Sequence, residues 1–138
     1  MRPEVASAAR EEKDRRQIVR RTQLDPLGRV VRVVRDWGGA EQTVVEESEY
    51  DADGNRVLQT DGESHQTQFV YDAANRLVRR VDGLGSPVES STRFTVDGSG
   101  NVTEEVDDRR PQGIHREFDA LSRVTLVRDG AGNTTEYG

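Results

Sequence analysis

The sequence predicts an all-β protein of tandem antiparallel β-hairpins, arranged as one curved, open sheet of about ten short strands. Two observations support this prediction. A short turn sequence recurs five times along the chain, and each copy is followed by a valine-rich run of strand length. Open sheets of this size tend to curl, so the hairpins are expected to follow an arc.

Each copy of the turn opens with an apolar or aromatic residue and Asp, with a Gly, Asn or Ser three residues after the Asp. The aspartates are 26, 21, 25 and 22 residues apart. An Asp side chain accepts hydrogen bonds from backbone N–H groups two or three residues later, and Gly or Asn enters the left-handed region at low cost. The predicted turn residues are Leu24, Asp25 and Gly28; Tyr50, Asp51 and Gly54; Tyr71, Asp72 and Asn75; Val96, Asp97 and Gly100; and Phe118, Asp119 and Ser122.

Strands are predicted on both sides of each turn. Val supplies 18 residues, and β-branched side chains favour strands. Thr67, Phe69 and Tyr71 place larger side chains at a spacing of two, as a half-buried strand requires. Outgoing strands are predicted at 29–35, 56–60, 76–81, 102–106 and 123–128, and return strands at 43–50, 66–71, 92–96, 114–118 and 134–137.

A second turn, rich in Asp and Gly, separates most outgoing strands from their return strands. It is predicted at 36–39, 61–62, 82–85 and 129–132. The single Trp, Trp37, falls in the first of these turns. An indole there either covers a neighbouring hairpin or stacks on a sugar ring, so Trp37 is a candidate ligand contact.

The N-terminal 16 residues differ from the rest of the chain. Residues 1–16 contain no Gly and are dominated by Ala and charged side chains, which suits a short polar helix or a disordered segment. Such a segment could also cap the first edge of the array, since repeat arrays usually need atypical ends. We therefore divide the chain into a polar segment, 1–16, and a repeat array, 17–138, whose pattern is interrupted at its C-terminal end.

Composition narrows the function classes. The net charge is −6, and the basic residues are interleaved with acidic ones, which argues against nucleic-acid binding. The absence of Cys excludes disulfides and thiolate chemistry. No stretch has the length of a membrane span, and the N-terminus lacks the apolar segment of a secretory signal. Hydrophobic residues make up 32% of the chain, so the core is expected to be thin.

Catalytic and metal-binding readings have little support in the sequence. His65 and His115 have no companions at metal-ligand spacing, and no Ser stands in a nucleophile elbow. The acidic turn at Asp51 begins like a calcium loop, but position twelve is Gly62 instead of a bidentate Glu. We therefore predict a protein without enzymatic activity, metal or cofactor, in which the aspartates hold turns.

The octapeptides Tyr50-Asp51-Ala52-Asp53-Gly54-Asn55-Arg56-Val57 and Tyr71-Asp72-Ala73-Ala74-Asn75-Arg76-Leu77-Val78 resemble the Tyr-Asp repeat of Rhs, or YD-repeat, proteins. Five copies in register make the resemblance specific, and it covers about residues 17–138. The copies opening at Leu24, Val96 and Phe118 depart from Tyr at the first position, and Ser122 departs from Gly.

The resemblance implies that full-length relatives wind many such hairpins into a hollow shell enclosing a C-terminal toxin or other cargo. It implies a secreted or cell-surface setting, with further repeats and the cargo as partners, and this chain as an arc of the wall. The alternative is a binding module that recognises a cell-surface carbohydrate or protein. Because its sheet edges are unpaired, the isolated chain is expected to be marginally stable or to self-associate.

Overall fold

A computed structural model describes residues 8–16, 18–37 and 42–138, except for the side chains of Asp36 and Trp37. Within these ranges, all regular secondary structure is β-strand. The chain divides into two compact units, Met1–Gln66 and Thr67–Gly138.

The first unit contains five strands. Strand order follows chain order, and each strand pairs antiparallel with the next. The strands are β1 (Ala8–Lys13), β2 (Ile18–Leu24), β3 (Val30–Trp37), β4 (Gln42–Tyr50) and β5 (Arg56–Asp61).

The second unit repeats the same arrangement with seven strands, the first of which begins one residue before the unit does. Here too each strand pairs antiparallel with its successor. The strands are β6 (Gln66–Tyr71), β7 (Leu77–Asp82), β8 (Ser90–Val96), β9 (Val102–Asp107), β10 (Arg110–Phe118), β11 (Val124–Arg128) and β12 (Thr134–Glu136). The predicted fold class, all-β with tandem antiparallel hairpins in an open sheet, is confirmed. The arc shape stays a prediction.

Little apolar surface is fully buried. Among the described residues, only Val33, Val34 and Val81 are buried hydrophobic side chains. Val33 and Val34 are adjacent and therefore point to opposite faces of β3. Since consecutive residues are both buried, both faces of β3 are covered at this point. The expectation of a thin core is confirmed.

The expectation of a helical or disordered N-terminal segment is wrong where the structure describes it, and the alternative of a cap on the first edge of the array stays a prediction. Residues Ala8–Lys13 form the edge strand β1, paired from Ala8 with Leu24 to Lys13 with Val19. Helix propensity is a weak preference that ladder hydrogen bonds to a neighbouring strand outweigh. Residues 1–7 lie outside the described residues, and the boundary at residue 17 stays a prediction.

Two further expectations need correction. Trp37 is the last residue of β3, paired with Ile18, instead of a turn residue, because the β2–β3 ladder extends to it. Its side chain and residues 38–41 lie outside the described residues. The return strand predicted at 114–118 begins earlier, at Arg110, because a register irregularity between Arg110 and Ile114 lets the ladder continue past Gly113.

Among the residues described, there is no helix with the length and apolar character that crossing a membrane requires.

Candidate functional site: a recurring aspartate turn

The turn at Asp72 shows the geometry on which the hairpins depend. The N–H of Asp72 donates to the carbonyl of Arg76 at 2.9 Å, and the N–H of Asn75 donates to the carbonyl of Asp72 at 3.0 Å. The carboxylate Oδ1 accepts the N–H groups of Ala74 and Arg76 at 2.9 and 3.0 Å. Arg76 Nε donates to the other oxygen, Oδ2, at 2.7 Å. One side chain thus closes the turn with three hydrogen bonds.

The same arrangement recurs at seven aspartates. In each, Oδ1 accepts the N–H groups two and four residues later, so the second bond comes from one residue further on than the sequence predicts. The residue three after the Asp has a positive φ in every copy. The aspartates are Asp25, Asp51, Asp61, Asp72, Asp97, Asp119 and Asp129; the left-handed residues are Gly28, Gly54, Ser64, Asn75, Gly100, Ser122 and Gly132.

Five of these seven turns are the predicted ones, at Asp25, Asp51, Asp72, Asp97 and Asp119. They connect β2 to β3, β4 to β5, β6 to β7, β8 to β9 and β10 to β11. The turns at Asp61 and Asp129 lie at the other ends of the strands. There the sequence predicted a turn without predicting the carboxylate geometry. Within each unit, the predicted turns lie at one end of the strands, which we call the first edge: two turns in the first unit and three in the second. The turns at the opposite end form the second edge.

An eighth copy joins β1 to β2. Asp14 Oδ1 accepts the N–H groups of Arg16 and Ile18 at 2.8 and 3.0 Å, and the N–H of Asp14 donates to the carbonyl of Ile18. The sequence reading missed this turn because the residue three after the Asp is Gln17 instead of Gly, Asn or Ser, and because the surrounding residues favour a helix. Gln17 lies outside the described residues.

The residue four after the Asp completes the turn through its side chain. It is Arg, Asn or His in all seven copies, and it donates to Oδ2 over 2.6–3.1 Å: Arg29, Asn55, His65, Arg76, Asn101, Arg123 and Asn133. Both carboxylate oxygens are therefore engaged within the turn. At Asp51, where the sequence resembles the start of a calcium loop, the donors are Asp53 N–H, Asn55 N–H and Asn55 Nδ2.

These hydrogen bonds stabilise the charged carboxylates. At Asp72, hydrogen bonds from the side chain and the backbone of Arg76 lower the pKa, with partial burial opposing them. At Asp25, burial has the largest single effect and raises the pKa. The bonds from Arg29 and Leu27 outweigh it, so the net shift is downward. The pKa is lowered in the same way at Asp51, Asp61, Asp97, Asp119 and Asp129.

A β-bulge adjoins every first-edge turn, with its extra residue on the strand that follows the turn. The ladder register shifts at the opening residue, as at Val70/Tyr71, where Val70 pairs with Arg79 but Tyr71 pairs with Leu77. The residue skipped lies six after the Asp and is β-branched in all five copies: Val31, Val57, Val78, Thr103 and Thr125. A bulge strengthens the local twist. The sequence did not reveal it because these residues fall within runs that read as uniform strand.

The opening residues and the Arg residues connect successive first-edge turns. Tyr50 donates its hydroxyl to the carbonyl of Val30 at 2.8 Å, and the Arg29 guanidinium lies 4.6 Å from the centre of the Tyr50 ring. In the second unit, Arg76 Nη1 donates to the carbonyl of Asp97 at 2.7 Å. Arg29 and Arg76 therefore each bind their own turn and also contact the next turn along the edge.

On the second edge, glycine permits close packing. A Cβ on Gly62 would lie 2.8 Å from the carbonyl oxygen of Val44, and one on Gly130 would lie 3.1 Å from both Gln112 Cβ and the Gly113 carbonyl oxygen. Both glycines directly follow the turn aspartate. The Asp-Gly pairs on this edge therefore let the turn pack against the neighbouring hairpin.

The remaining candidates have structural partners. His65 Nδ1 lies 3.1 Å from Asp61 Oδ2 and belongs to that turn, while His115 Nε2 lies 3.7 Å from Glu117. The Ser90 hydroxyl donates to Asp108 at 3.1 Å. No group of three or more His, Asp or Glu suited to a metal ion occurs in the part of the chain that the structure describes. Trp37 stays a predicted ligand contact.

The strands and turns together define the class: a protein of tandem β-hairpin repeats closed by aspartate turns. A family model described as RHS Repeat matches residues 50–87. Residues 50–87 therefore carry a repeat of the Rhs, or YD-repeat, family. A comparison with curated proteins finds no match.

Solved structures share the fold. One is a mutant of the Photorhabdus luminescens Tc holotoxin pore, with a TM-score of 0.71 at 18% identity. Another is the crystal structure of TcdB2-TccC3 without its hypervariable C-terminal region, with a TM-score of 0.72 at 19% identity. Both alignments cover 85% of this chain but 6% of the matched chain. At this identity the likeness shows the fold alone.

Proposed function

We propose that the chain is a non-catalytic wall segment of a larger Rhs-type protein, whose shell encloses a C-terminal toxin or other cargo in competition between bacteria. The observation that supports this most strongly is the use of the repeated polar residues. All seven complete aspartate turns direct both carboxylate oxygens to donors of the same turn. The repeated residues are thus committed to building hairpins.

The similar structures support the same proposal. One of them is a Tc holotoxin pore, and this chain corresponds to 6% of the length of each matched chain, as a short stretch of a long repeat array would. The partners on this proposal are further YD repeats and the enclosed cargo. The setting is a secreted or cell-surface protein of which this chain is a part.

The proposal is tested on the protein as its cells make it. An antibody raised against the purified chain should detect a polypeptide much larger than 15.4 kDa, the mass of this sequence. Mass spectrometry of that polypeptide should find a segment C-terminal to the repeats that resists protease in the native state and is digested after denaturation. A product of only 15.4 kDa, or a C-terminal segment digested equally in both states, would contradict the proposal.

The binding-module alternative has its own readout. Under the wall-segment proposal the purified chain and its Trp37→Ala variant behave alike on a glycan array. Specific retention that the substitution abolishes would favour carbohydrate recognition instead.

A further inference from the structure

The first-edge turns alternate in the residue four after the Asp. Along the chain it is Arg29, Asn55, Arg76, Asn101 and Arg123. Asn and Arg both donate to their own turn's carboxylate, so turn closure does not require the alternation. The difference is reach, because an Arg side chain is long enough to contact a neighbouring turn as well.

The first two Arg residues use that reach. Arg29 lies over the Tyr50 ring and 3.6 Å from the position of a Cβ on Gly54, which places it against the Asn-type turn 51–55. Arg76 donates to the carbonyl of Asp97, in the Asn-type turn 97–101. Their side chains are 28% and 35% exposed. In both cases the Arg side chain of one turn contacts the following turn, which is of the Asn type: it has Asn four residues after its Asp.

The strand pairing explains why this Arg contact recurs. Arg32 pairs with Glu47 and Arg79 with Arg93. Three residues further towards the first edge, beyond the end of each ladder, Arg29 and Tyr50 follow in the first unit and Arg76 and Val96 in the second. The Arg therefore stands level with the opening residue of the next turn, within reach of its ring or backbone carbonyl.

Arg123 makes the first of these two contacts, the one with the carboxylate of its own turn. Its Nε donates to Asp119 Oδ2 at 2.7 Å, as in the other copies, but its side chain is 72% exposed. It stands on β11, whose neighbour β12 is exposed throughout and, among the described residues, pairs only with β11. Leu126 pairs with Glu136, and the same three-residue step towards the first edge leads to Arg123 on one strand and to the position directly after Gly138 on the other.

We propose that Arg123 and the outer edge of β12 form a docking surface for one more hairpin, whose turn is of the Asn type. The partner is a segment that opens with an aromatic or branched residue and Asp and has Asn four residues after the Asp. The guanidinium binds the opening ring or the Asp carbonyl, and the following strand pairs with β12. This inference rests on the proposed function and specifies the chemistry of the adjoining repeat.

The test extends the full chain by a copy of its own Asn-type turn and strand. Residues 96–108, placed directly after Gly138, put Val after the Gly and supply Asp, Asn and a strand. They include Asp108, which accepts the N–H of Ser91 and in the extension would accept that of Thr134. The matched variant is Arg123→Asn in both the extended and the unextended chain. Asn closes the same turn at Asn55 and Asn101, so this substitution keeps the Asp119 turn intact.

Amide hydrogen exchange at Thr134 and Glu136 provides the readout. The N–H of Tyr137 donates inward to Thr125, and alternate N–H groups on an antiparallel strand point outward, so those of Thr134 and Glu136 face the added strand. The extension should slow their exchange. Arg123→Asn in the extended chain should lower the protection factor at these positions roughly tenfold, as expected for the loss of a hydrogen bond to a charged group.

In the unextended chain, Arg123→Asn should leave the exchange unchanged. Equal protection in the two extended chains would overturn the Arg123 assignment and leave the array function standing. No protection in either would overturn both the docking surface and the array function.

Discussion

At the residue scale, each turn depends on one carboxylate and one left-handed residue. The conformation is carried by Gly in four of the seven copies and by Asn75, Ser64 and Ser122 in the others. The turn at 97–101 contains two glycines that differ in backbone conformation but not in the space available for a Cβ. Gly98 and Gly100 both have room for a Cβ, but only Gly100 has a positive φ, of 91°.

Replacing Gly100 by Ala should therefore destabilise the protein by about 1–2 kcal/mol, the cost of placing an L-residue in the left-handed region. Gly98→Ala, two residues away, should cause no such loss. Thermal unfolding followed by circular dichroism measures both. Equal losses would show that the turn does not require the left-handed residue.

The turn at 51–55 contains two aspartates, which allows the effect of the turn carboxylate on stability to be measured apart from the effect of charge. Asp51 accepts three hydrogen bonds in the turn, whereas Asp53 contributes its backbone N–H. Asp51→Asn should lower the unfolding midpoint because an amide nitrogen cannot accept the bond from Asn55 Nδ2. Asp53→Asn removes the same charge and should leave the midpoint nearly unchanged. If both variants unfold alike, net charge rather than turn geometry sets stability.

The residues that the sequence predicted are those whose role is local. Asp, the opening residue and the left-handed residue fall within five consecutive positions, so their pattern can be recognised in the sequence without knowing the fold. Arg29 and Arg76 are different, because their second contacts join turns more than 20 residues apart. No local pattern reveals such contacts, although the Arg and Asn alternation was visible in the sequence.

At the element scale, hairpins pack differently at their two edges. The position directly after the turn Asp is open at Gly98 on the first edge, but tightly enclosed at Gly62 on the second. The β1–β2 hairpin also belongs to this scale. The sequence predicts a helix for its residues because local propensity favours one, whereas the pairing with β2 that makes them a strand involves residues further along the chain. In its turn, the residue three after Asp14 is Gln17 instead of the Gly, Asn or Ser of the repeated pattern.

Gly62→Ala should destabilise the protein by about 1–3 kcal/mol, because the added Cβ overlaps the Val44 carbonyl oxygen and forces a shift. Gly98→Ala, at the same position in its own turn, is the matched control. Chemical denaturation gives the two free energies of unfolding. The packing account is wrong if Gly62→Ala is as stable as the control.

At the scale of the whole molecule, stability depends on many turns because the apolar core is small. Seven turn carboxylates have a lowered pKa, relative to an ordinary value of 3.8. The unfolded chain therefore binds protons at a higher pH than the folded chain does. Their stabilisation is complete well above pH 3.8 and is lost as the pH falls through the lower folded values.

The unfolding midpoint should accordingly fall steeply below about pH 4, with all seven turns contributing in the same direction. A series of thermal unfolding experiments from pH 6 to pH 2 measures this. A midpoint that stays level or rises on acidification would show that the carboxylates are not held as the hydrogen bonds indicate.

Fold class could be predicted at this scale because the repeat multiplies a weak local signal. Composition gave the thin core directly. The bulges could not be predicted, since β-branched residues six after each Asp look the same in a regular strand and in a bulged one.

The most direct test of the account is amide hydrogen exchange measured by NMR across the turns. Each turn binds the N–H groups of the Asp and of the residues two, three and four later, as in Asp72, Ala74, Asn75 and Arg76. The residue directly after the Asp, such as Ala73, has no acceptor among the described residues. We expect slow exchange at the four bound positions and fast exchange at the intervening one, repeated in every turn except 25–29, where the intervening residue is Pro26 and has no N–H. Fast exchange at all five positions would contradict the claim that aspartate turns build this protein.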